Sequence, residues 1–574
     1  MIYDEGFDNL YIGTITSGLY VLKLQQFERL FFDNPRFMVN SQFAQVELPD
    51  GSILTRAGIL HRNNQDNLLF PGTHDSDKVA MLQASDGTIW YSENDSLKKT
   101  DTRLRVNNAV KYLGDLLTGI LERGNREILY STPHRLFRRN GSEDTLLLDN
   151  PALWQGGAIQ TIRDMGRDMI WIGTSNGLFA YDLSRHLLSR LPLAGKVSVA
   201  VIHIAKDGSA WIGTYGQGFY KWYNHHFIRM PADTRKSLAT VHCILEDKQG
   251  YFWIPTNKGL FRVTKKELDE YACGSPEQVY YYYVDKSLGF GTNEFNGRCT
   301  PCGIMTGNGR FSLPSLDGLV QFNPDSVHLS LPGNPVFIDL VTADDKRLPL
   351  KNKLLVPGDS SRLIFDICSP YFGSKINQRL EYSISGVDEK WYPVSEDGRL
   401  ILTELAKGDY TLTVRNQQRY AHYTYRTIQF TILPYWYETT WFRCLLAGLL
   451  AGTFLLFFRW RYNVQVKKAA LLEQKVEERT GQLSESNRVK ELMISIILHD
   501  LRSPLRFLHI LARRIYINYK TMADKELAGM LFQFQHATND VYDFAQDFFV
   551  FTNIQQEGFV IRRERIVLRE LIND

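Results

Sequence analysis

Six cysteines in 574 residues are too few for a disulfide framework. Five of them precede an apolar run that begins at Cys444, so they could meet an oxidising compartment. Cys299-Thr300-Pro301-Cys302 has the spacing of a redox motif, but no strand-then-helix pattern surrounds it. Free thiols or one local disulfide are the alternatives there, and two cysteines alone cannot close a zinc site. Charge excess is also missing: 66 basic residues face 63 acidic ones, which gives no argument for nucleic acid as a partner. The start, Met1 to Glu5, has no basic stretch and no apolar core, so no signal peptide is read. Because the chain after Glu5 has an exported character, the natural N-terminus is expected to be missing. Glycine thins out toward the C-terminus: after Gly481 only Gly529 and Gly558 remain, leaving no Gly-rich cradle for nucleotide phosphates.

What is present is repetition. Leu10-Tyr11-Ile12-Gly13-Thr14 leads to Gly18-Leu19-Tyr20, Ile170-Trp171-Ile172-Gly173-Thr174 to Gly177-Leu178-Phe179, and Ala210-Trp211-Ile212-Gly213-Thr214 to Gly218-Phe219-Tyr220. Phe252-Trp253-Ile254-Pro255-Thr256 leads to Gly259-Leu260-Phe261, with weaker copies at Ile53, Ile89, Ile128 and Phe311. The period is about 40 residues, the length of a propeller blade. Each copy reads as a strand, a tight glycine turn and a second strand, often after an Asp-Gly turn such as Asp86-Gly87 or Asp207-Gly208. One such sheet cannot bury both faces, so the copies must stack in a ring. The copies up to Phe322 predict a seven-bladed propeller over residues 1–331, with a remnant or a closing blade shared by both ends.

These repeats resemble the two-component regulator propeller repeats in the extracellular sensors of some bacterial histidine kinases. The resemblance implies a ligand site on a propeller face, with an oligosaccharide as one candidate ligand. Trp154, Trp222, Tyr223 and Tyr281 to Tyr283 would suit stacking on sugar rings, although core or blade packing is the ordinary use of such side chains. His225-His226 has no Cys or carboxylate at ligand spacing and reads as a solvated pair, so no metal site is expected.

Residues 332–433 turn into short alternating strands, which predicts an antiparallel β-sandwich. Tyr382, Gly386, Trp391, Gly408, Tyr410 and Arg415-Asn416 resemble the tyrosine-rich domain that follows such propellers. Residues 434–462 hold an uncharged run, Cys444 to Phe458, flanked by Trp441, Phe442 and Trp460, with Arg459, Arg461, Lys467 and Lys468 only after it. That pattern predicts one transmembrane helix in a bacterial inner membrane, with the β domains periplasmic and the C-terminus cytoplasmic.

Beyond the span the sequence is helical. Leu472, Val476, Leu483, Met493 and Ile497 mark a heptad-like stripe, read as a signalling coiled coil over 463–490. Residues 491–574 then carry Leu498-His499-Asp500-Leu501-Arg502-Ser503-Pro504-Leu505 on an apolar helical pattern, and a second amphipathic run from Leu527 to Phe549. Pro504 is expected to bend the first helix. The string resembles the H-box of sensor histidine kinases, His-Glu-Leu-Arg-Thr-Pro-Leu, with Asp500 in place of Glu and Ser503 in place of Thr. The resemblance implies His499 as phosphoacceptor and Asp500 as its acid–base neighbour. It places Ser503 where a water is positioned for phosphatase activity. Arg502 is a candidate phosphate contact, or a partner in a surface ion pair. A homodimeric four-helix bundle and a response regulator as partner are implied by the same resemblance. ATP and magnesium belong to a nucleotide domain that this chain is expected to lack, so no cofactor is expected on the chain itself. Two other readings stay open: a binding-only membrane receptor, and a propeller enzyme acting on polysaccharide, which would need paired carboxylates.

Overall fold

The computed structural model describes residues 1–4, 9–32, 40–62, 65–68, 80–93, 95–104, 108–149, 157–193, 195–233, 235–350, 353–479, 487–518 and 524–554. Among helical positions, the side chains of 469–498, Asp500, Asn518, Asp524, Glu526, Phe549 and 551–554 lie outside the description. Two units are present, Met1–Trp436 and Tyr437–Asp574.

Among the described residues, the propeller part of the first unit contains seven four-stranded antiparallel sheets, blades one to seven. Blades one to six occupy residues 45–68, 81–112, 119–149, 159–190, 199–229 and 245–284. Blade seven takes three strands from 304–322 and its fourth, Glu28–Leu30, from near the start of the chain. In blades one to five the first strands of successive blades neighbour one another around the axis, and the fourth strands lie at the opposite edges of their sheets, at the rim. A further three-stranded sheet, Ile2–Asp4, Asn9–Gly13 and Leu19–Lys23, precedes the ring. The remnant and the shared closing blade therefore both exist.

The repeat motif has a local explanation. In each strong copy the Thr hydroxyl donates to the carbonyl of the turn glycine: Thr174 to Gly177 (2.9 Å), Thr214 to Gly218 (2.6 Å) and Thr256 to Gly259 (2.9 Å). Thr14 makes the same bond to Gly18 and Ser315 to Gly318. The glycine before the threonine serves packing between blades. A Cβ on Gly213 would stand 2.5 Å from Val201 and 2.8 Å from Val241, so any larger residue would push blades five and six apart. Trp211 and Trp253 are fully buried between blades and supply much of the apolar area.

Carboxylates staple neighbouring blades on one face. Gly307 N–H donates to Glu47 (2.6 Å), Ser85 N–H to Glu122 (2.6 Å), Arg123 to Asp164 (3.0 Å) and Lys206 N–H to Glu246 (2.8 Å). Each staple joins the end of one blade's first strand, or the turn just after it, to the next blade's first strand.

Two packed sheets follow the propeller. One has four strands and the other five, with Val341, Phe365, Leu412, Val414 and Phe430 fully buried between them. The expected antiparallel sandwich holds except at one edge, where Lys353–Val356 pairs parallel with His422–Ile432. The chain crosses there from the first sheet to the second and arrives in the same direction as its neighbour. The tyrosine-rich signature does structural work. Arg415 bonds Glu381 (2.8 Å) and lies over the rings of Trp391 (4.0 Å) and Tyr423 (4.4 Å). Tyr410 donates to Ala406 O (2.9 Å), and Gly386 holds a φ of 102° beside the Tyr410 ring.

Propeller and sandwich meet through polar groups. The rim strand Tyr282–Val284 of blade six has one open edge, and Asn377 of the sandwich covers it. Tyr283 N–H donates to Asn377 Oδ1 (2.6 Å), and Asn377 Nδ2 donates to Tyr283 O (2.8 Å). Tyr280 donates to Asn377 O (2.7 Å), and Arg379 to Val279 O (3.0 Å). A short helix, α1 (Lys265–Ala272), sits at this joint, capped by Thr264, whose hydroxyl accepts from Glu267 N–H (3.1 Å).

The second unit is helical: α2 (Thr440–Arg479), α3 (Asn487–Asn518) and α4 (Asp524–Ile554). At 1.5 Å per residue, the 40 residues of α2 make about 60 Å, longer than a bilayer core. Its part Thr440–Lys468 is the one candidate membrane span among the described residues, and its apolar window is entirely unburied.

Candidate functional site

The described portions of α3 and α4 pack as a helical hairpin along matching stripes. On α3, Leu501, Pro504, Leu508, Leu511 and Ile515 are half-buried or buried, at alternating spacings of three and four. On α4, Leu527, Met530, Ala537, Val541 and Phe544 are likewise half-buried or buried, at spacings of three, seven, four and three. This is the seam of an antiparallel helix pair. The expected bend at Pro504 does not interrupt the helix, which runs as one element to Asn518. Pro504 still cannot donate to the carbonyl four residues back, that of Asp500.

His499, Arg502 and Ser503 lie off this seam, and all three are exposed. Spacings of three and four place Arg502 and Ser503 one turn beyond His499 on the same helical face. An exposed imidazole, a guanidinium and a hydroxyl thus stand within one turn of each other. The Asp500 side chain lies outside the described residues, and so do the side chains of Leu472, Val476, Leu483, Met493 and Ile497.

Apolar surface remains uncovered beside the seam. Leu505, Ile510, Leu531 and Phe532 are each more than half exposed. Ala512, Ile515, Tyr516, Leu527, Leu531 and Phe534 line an open groove that is almost wholly apolar. Phe534 and Phe548, read as part of the inward run, are partly exposed, and Phe549 lies outside the described side chains.

The aromatic residues considered for sugar stacking have other uses. Tyr281, Tyr282 and Tyr283 are buried, and their hydroxyls donate to Pro231 O (2.8 Å), Ser330 O (3.0 Å) and Lys258 O (2.7 Å). Trp222 packs on Phe227 (4.5 Å) and edge-on to Trp171 (5.7 Å). Trp154 lies outside the described residues, and Tyr223 is partly exposed. His225 and His226 are exposed, and no group of three or more metal-ligating side chains occurs among the described residues. Cys299 and Cys302 form a disulfide.

No protein-family profile matches the chain. A curated relative, histidine kinase P4 of Formosa agariphila, is 20% identical over 393 residues, covering 63% of this chain and 27% of the relative. The chain thus spans about a quarter of that relative's length. Among solved structures, the extracellular domain of BT3049 from B. thetaiotaomicron, assigned to a hybrid two-component system, is similar at a TM-score of 0.54 and 17% identity. The match covers 76% of this chain and 61% of that chain. About three quarters of the chain shares the fold of that extracellular domain. A second such domain, BT4673 from the same organism, aligns at a TM-score of 0.41 and 14% identity over 76% of this chain and 63% of its own. The joint at Asn377 has no motif of its own in the sequence. Its only signal was the run of four tyrosines, Tyr280 to Tyr283, which marks a strand buried on both sides.

Proposed function

We propose that this protein is a membrane-spanning sensor histidine kinase of a two-component system. The observation that carries the proposal is an exposed histidine, His499, on a helical hairpin that follows one candidate span in a chain with a sensor's outer fold. His499 receives a phosphoryl group, with its ring nitrogen as nucleophile. Asp500 holds or takes the imidazole proton, Ser503 positions water for the reverse hydrolysis, and Arg502 steadies phosphate charge. ATP and magnesium act from a nucleotide domain outside residues 1–574, in the same polypeptide or a partner subunit. The phosphoryl group then passes to an aspartate of a response regulator.

The propeller lies outside the membrane and takes the ligand, with an oligosaccharide as the candidate class. The exposed apolar groove of the hairpin supports a homodimer, because a second hairpin would cover it as a four-helix bundle. The bases clustered after the apolar run support a cytoplasmic C-terminal side.

The test is phosphoryl acceptance from γ-labelled ATP in protein that carries its nucleotide domain. Wild type should gain acid-labile label and His499→Gln should gain none, with its circular dichroism unchanged. Equal labelling of the variant refutes the assignment of His499. No label on wild type favours a binding-only receptor.

A further inference from the structure

Residues 295–302 do not follow the rim of the propeller. Phe295 N–H donates to Thr256 O (3.1 Å) in blade six, and Asn296 N–H to Pro314 O (2.9 Å) in blade seven. The Asn296 side chain donates to Ser41 Oγ (3.0 Å) and Gln42 O (2.6 Å), on the chain entering blade one. Thr300 O accepts from Met81 N–H (2.8 Å) in blade two, where Ala80 and Thr300 form an isolated parallel bridge. Arg298 lies over the ring of Tyr215 (4.6 Å), just past a strand of blade five. One short segment therefore holds five blades, and to reach both blade two and blade five it must cross the axis of the ring.

The C-terminal half of that segment, 299–302, is closed by the disulfide. Cys299 and Cys302 are buried, and they pack in one cluster with Phe295, Phe311 and Leu313 and with Val46, Leu54 and Met81 of blades one and two. Cys299 N–H points at Cys302 Sγ (3.1 Å). A cross-link here restricts the backbone that presents the Thr300 carbonyl to Met81. Without it the loop regains freedom, and the Met81 N–H keeps its acceptor only for part of the time.

We propose that the Cys299–Cys302 disulfide is a redox-sensitive clasp that fixes this axial segment and, through it, the junction of the first and last blades. The inference rests on the reading that residues 1–436 lie in an oxidising compartment. In the step itself a dithiol supplies two electrons, the S–S bond breaks, and each sulfur gains one proton. The dithiol closes its own disulfide through a mixed-disulfide intermediate. Both sulfurs are shielded, so reduction waits on local opening and is slow.

The full chain in detergent micelles, treated with dithiothreitol, tests this by hydrogen exchange and by counting alkylated cysteines after denaturation. Air-oxidised protein should show four alkylated cysteines, Cys243, Cys273, Cys368 and Cys444, and reduced protein six. On reduction the amides of Met81 and Asn296 should exchange at least tenfold faster, while the sandwich strand Gly408–Arg419 stays unchanged. The double variant Cys299→Ser/Cys302→Ser should exchange at the reduced rate without reductant. Six alkylated cysteines in the oxidised protein, or full reduction with no change at Met81, overturns the clasp. If the double variant does not fold, the reductant experiment on the native chain still decides. The compartment is read separately: a membrane-impermeant maleimide added to intact cells labels the exposed Cys273 only if the propeller is outside.

Discussion

Asn377→Ala should uncouple the propeller from the sandwich more than any other single truncation at the joint. Asn377 is 1% exposed, and its side chain completes the open edge of blade six with two bonds to Tyr283. Alanine leaves one buried N–H and one buried carbonyl without partners. Each costs about 1–3 kcal/mol, so about 3 kcal/mol in total is a conservative sum. That lowers the opening free energy of the strand and speeds exchange of the Tyr283 amide on the order of a hundredfold. Hydrogen exchange with mass readout on the full chain in micelles measures it. Asn377→Asp sharpens the test. The carboxylate can still accept from Tyr283 N–H but faces Tyr283 O with a second acceptor and an unpaired charge, so it should be at least as damaging as alanine. A change below threefold in both variants would refute the edge-capping role. So would a change spread evenly over all seven blades.

Three other outcomes are expected from contacts within the propeller. Burial pushes the Glu267 carboxyl up to about 6, against a hydrogen bond from Tyr280 N–H, the Thr264 hydroxyl and the charge of Arg379. The folded state thus holds a proton that the unfolded chain releases between the normal carboxylate range and pH 6. Stability from this group is greatest below that window and falls by about 2 kcal/mol as pH rises through it. Glu267→Gln should remove the effect, so its gain in unfolding midpoint over wild type should grow from pH 4.5 to 7; a constant gap contradicts the burial argument. Gly297→Ala would drive a Cβ into the imidazole of His242, which is buried and bonded through Nε2 to Asn257 (2.6 Å). It should cost about 1–3 kcal/mol by thermal melt, whereas Gly13→Ala, with nothing within 4 Å, should be neutral. Leu30→Asp places a carboxylate in the closing strand at a position only 8% exposed, and should release Ile304–Met305 and Phe311–Phe322 to proteolysis before any other blade.

The sequence carried everything that a short window can encode. The Thr-to-Gly turn bond is local, so the blade motif shows itself in ten residues. The candidate span needs only a run of apolar side chains, and the exposed face of His499, Arg502 and Ser503 needs only helical spacing. Even the remnant strands announce themselves, because Thr14 and Gly18 repeat the turn.

What the tertiary structure alone decided are pairings between distant residues with no local signature. Leu30 meets Leu319 because a ring of twisted blades brings its two ends together, and nothing in Glu28-Arg29-Leu30 marks it as a closing strand. Asn377 meets Tyr283 because a polar side chain happens to stand where an edge strand lacks a partner. Thr300 meets Met81 because a connecting loop crosses the axis instead of passing around it. Such contacts depend on where the blades place their edges, which only the closed ring fixes. The tyrosines that suggested a sugar platform were resolved in the same way: backbone carbonyls from distant turns take their hydroxyls, so they became joints and core.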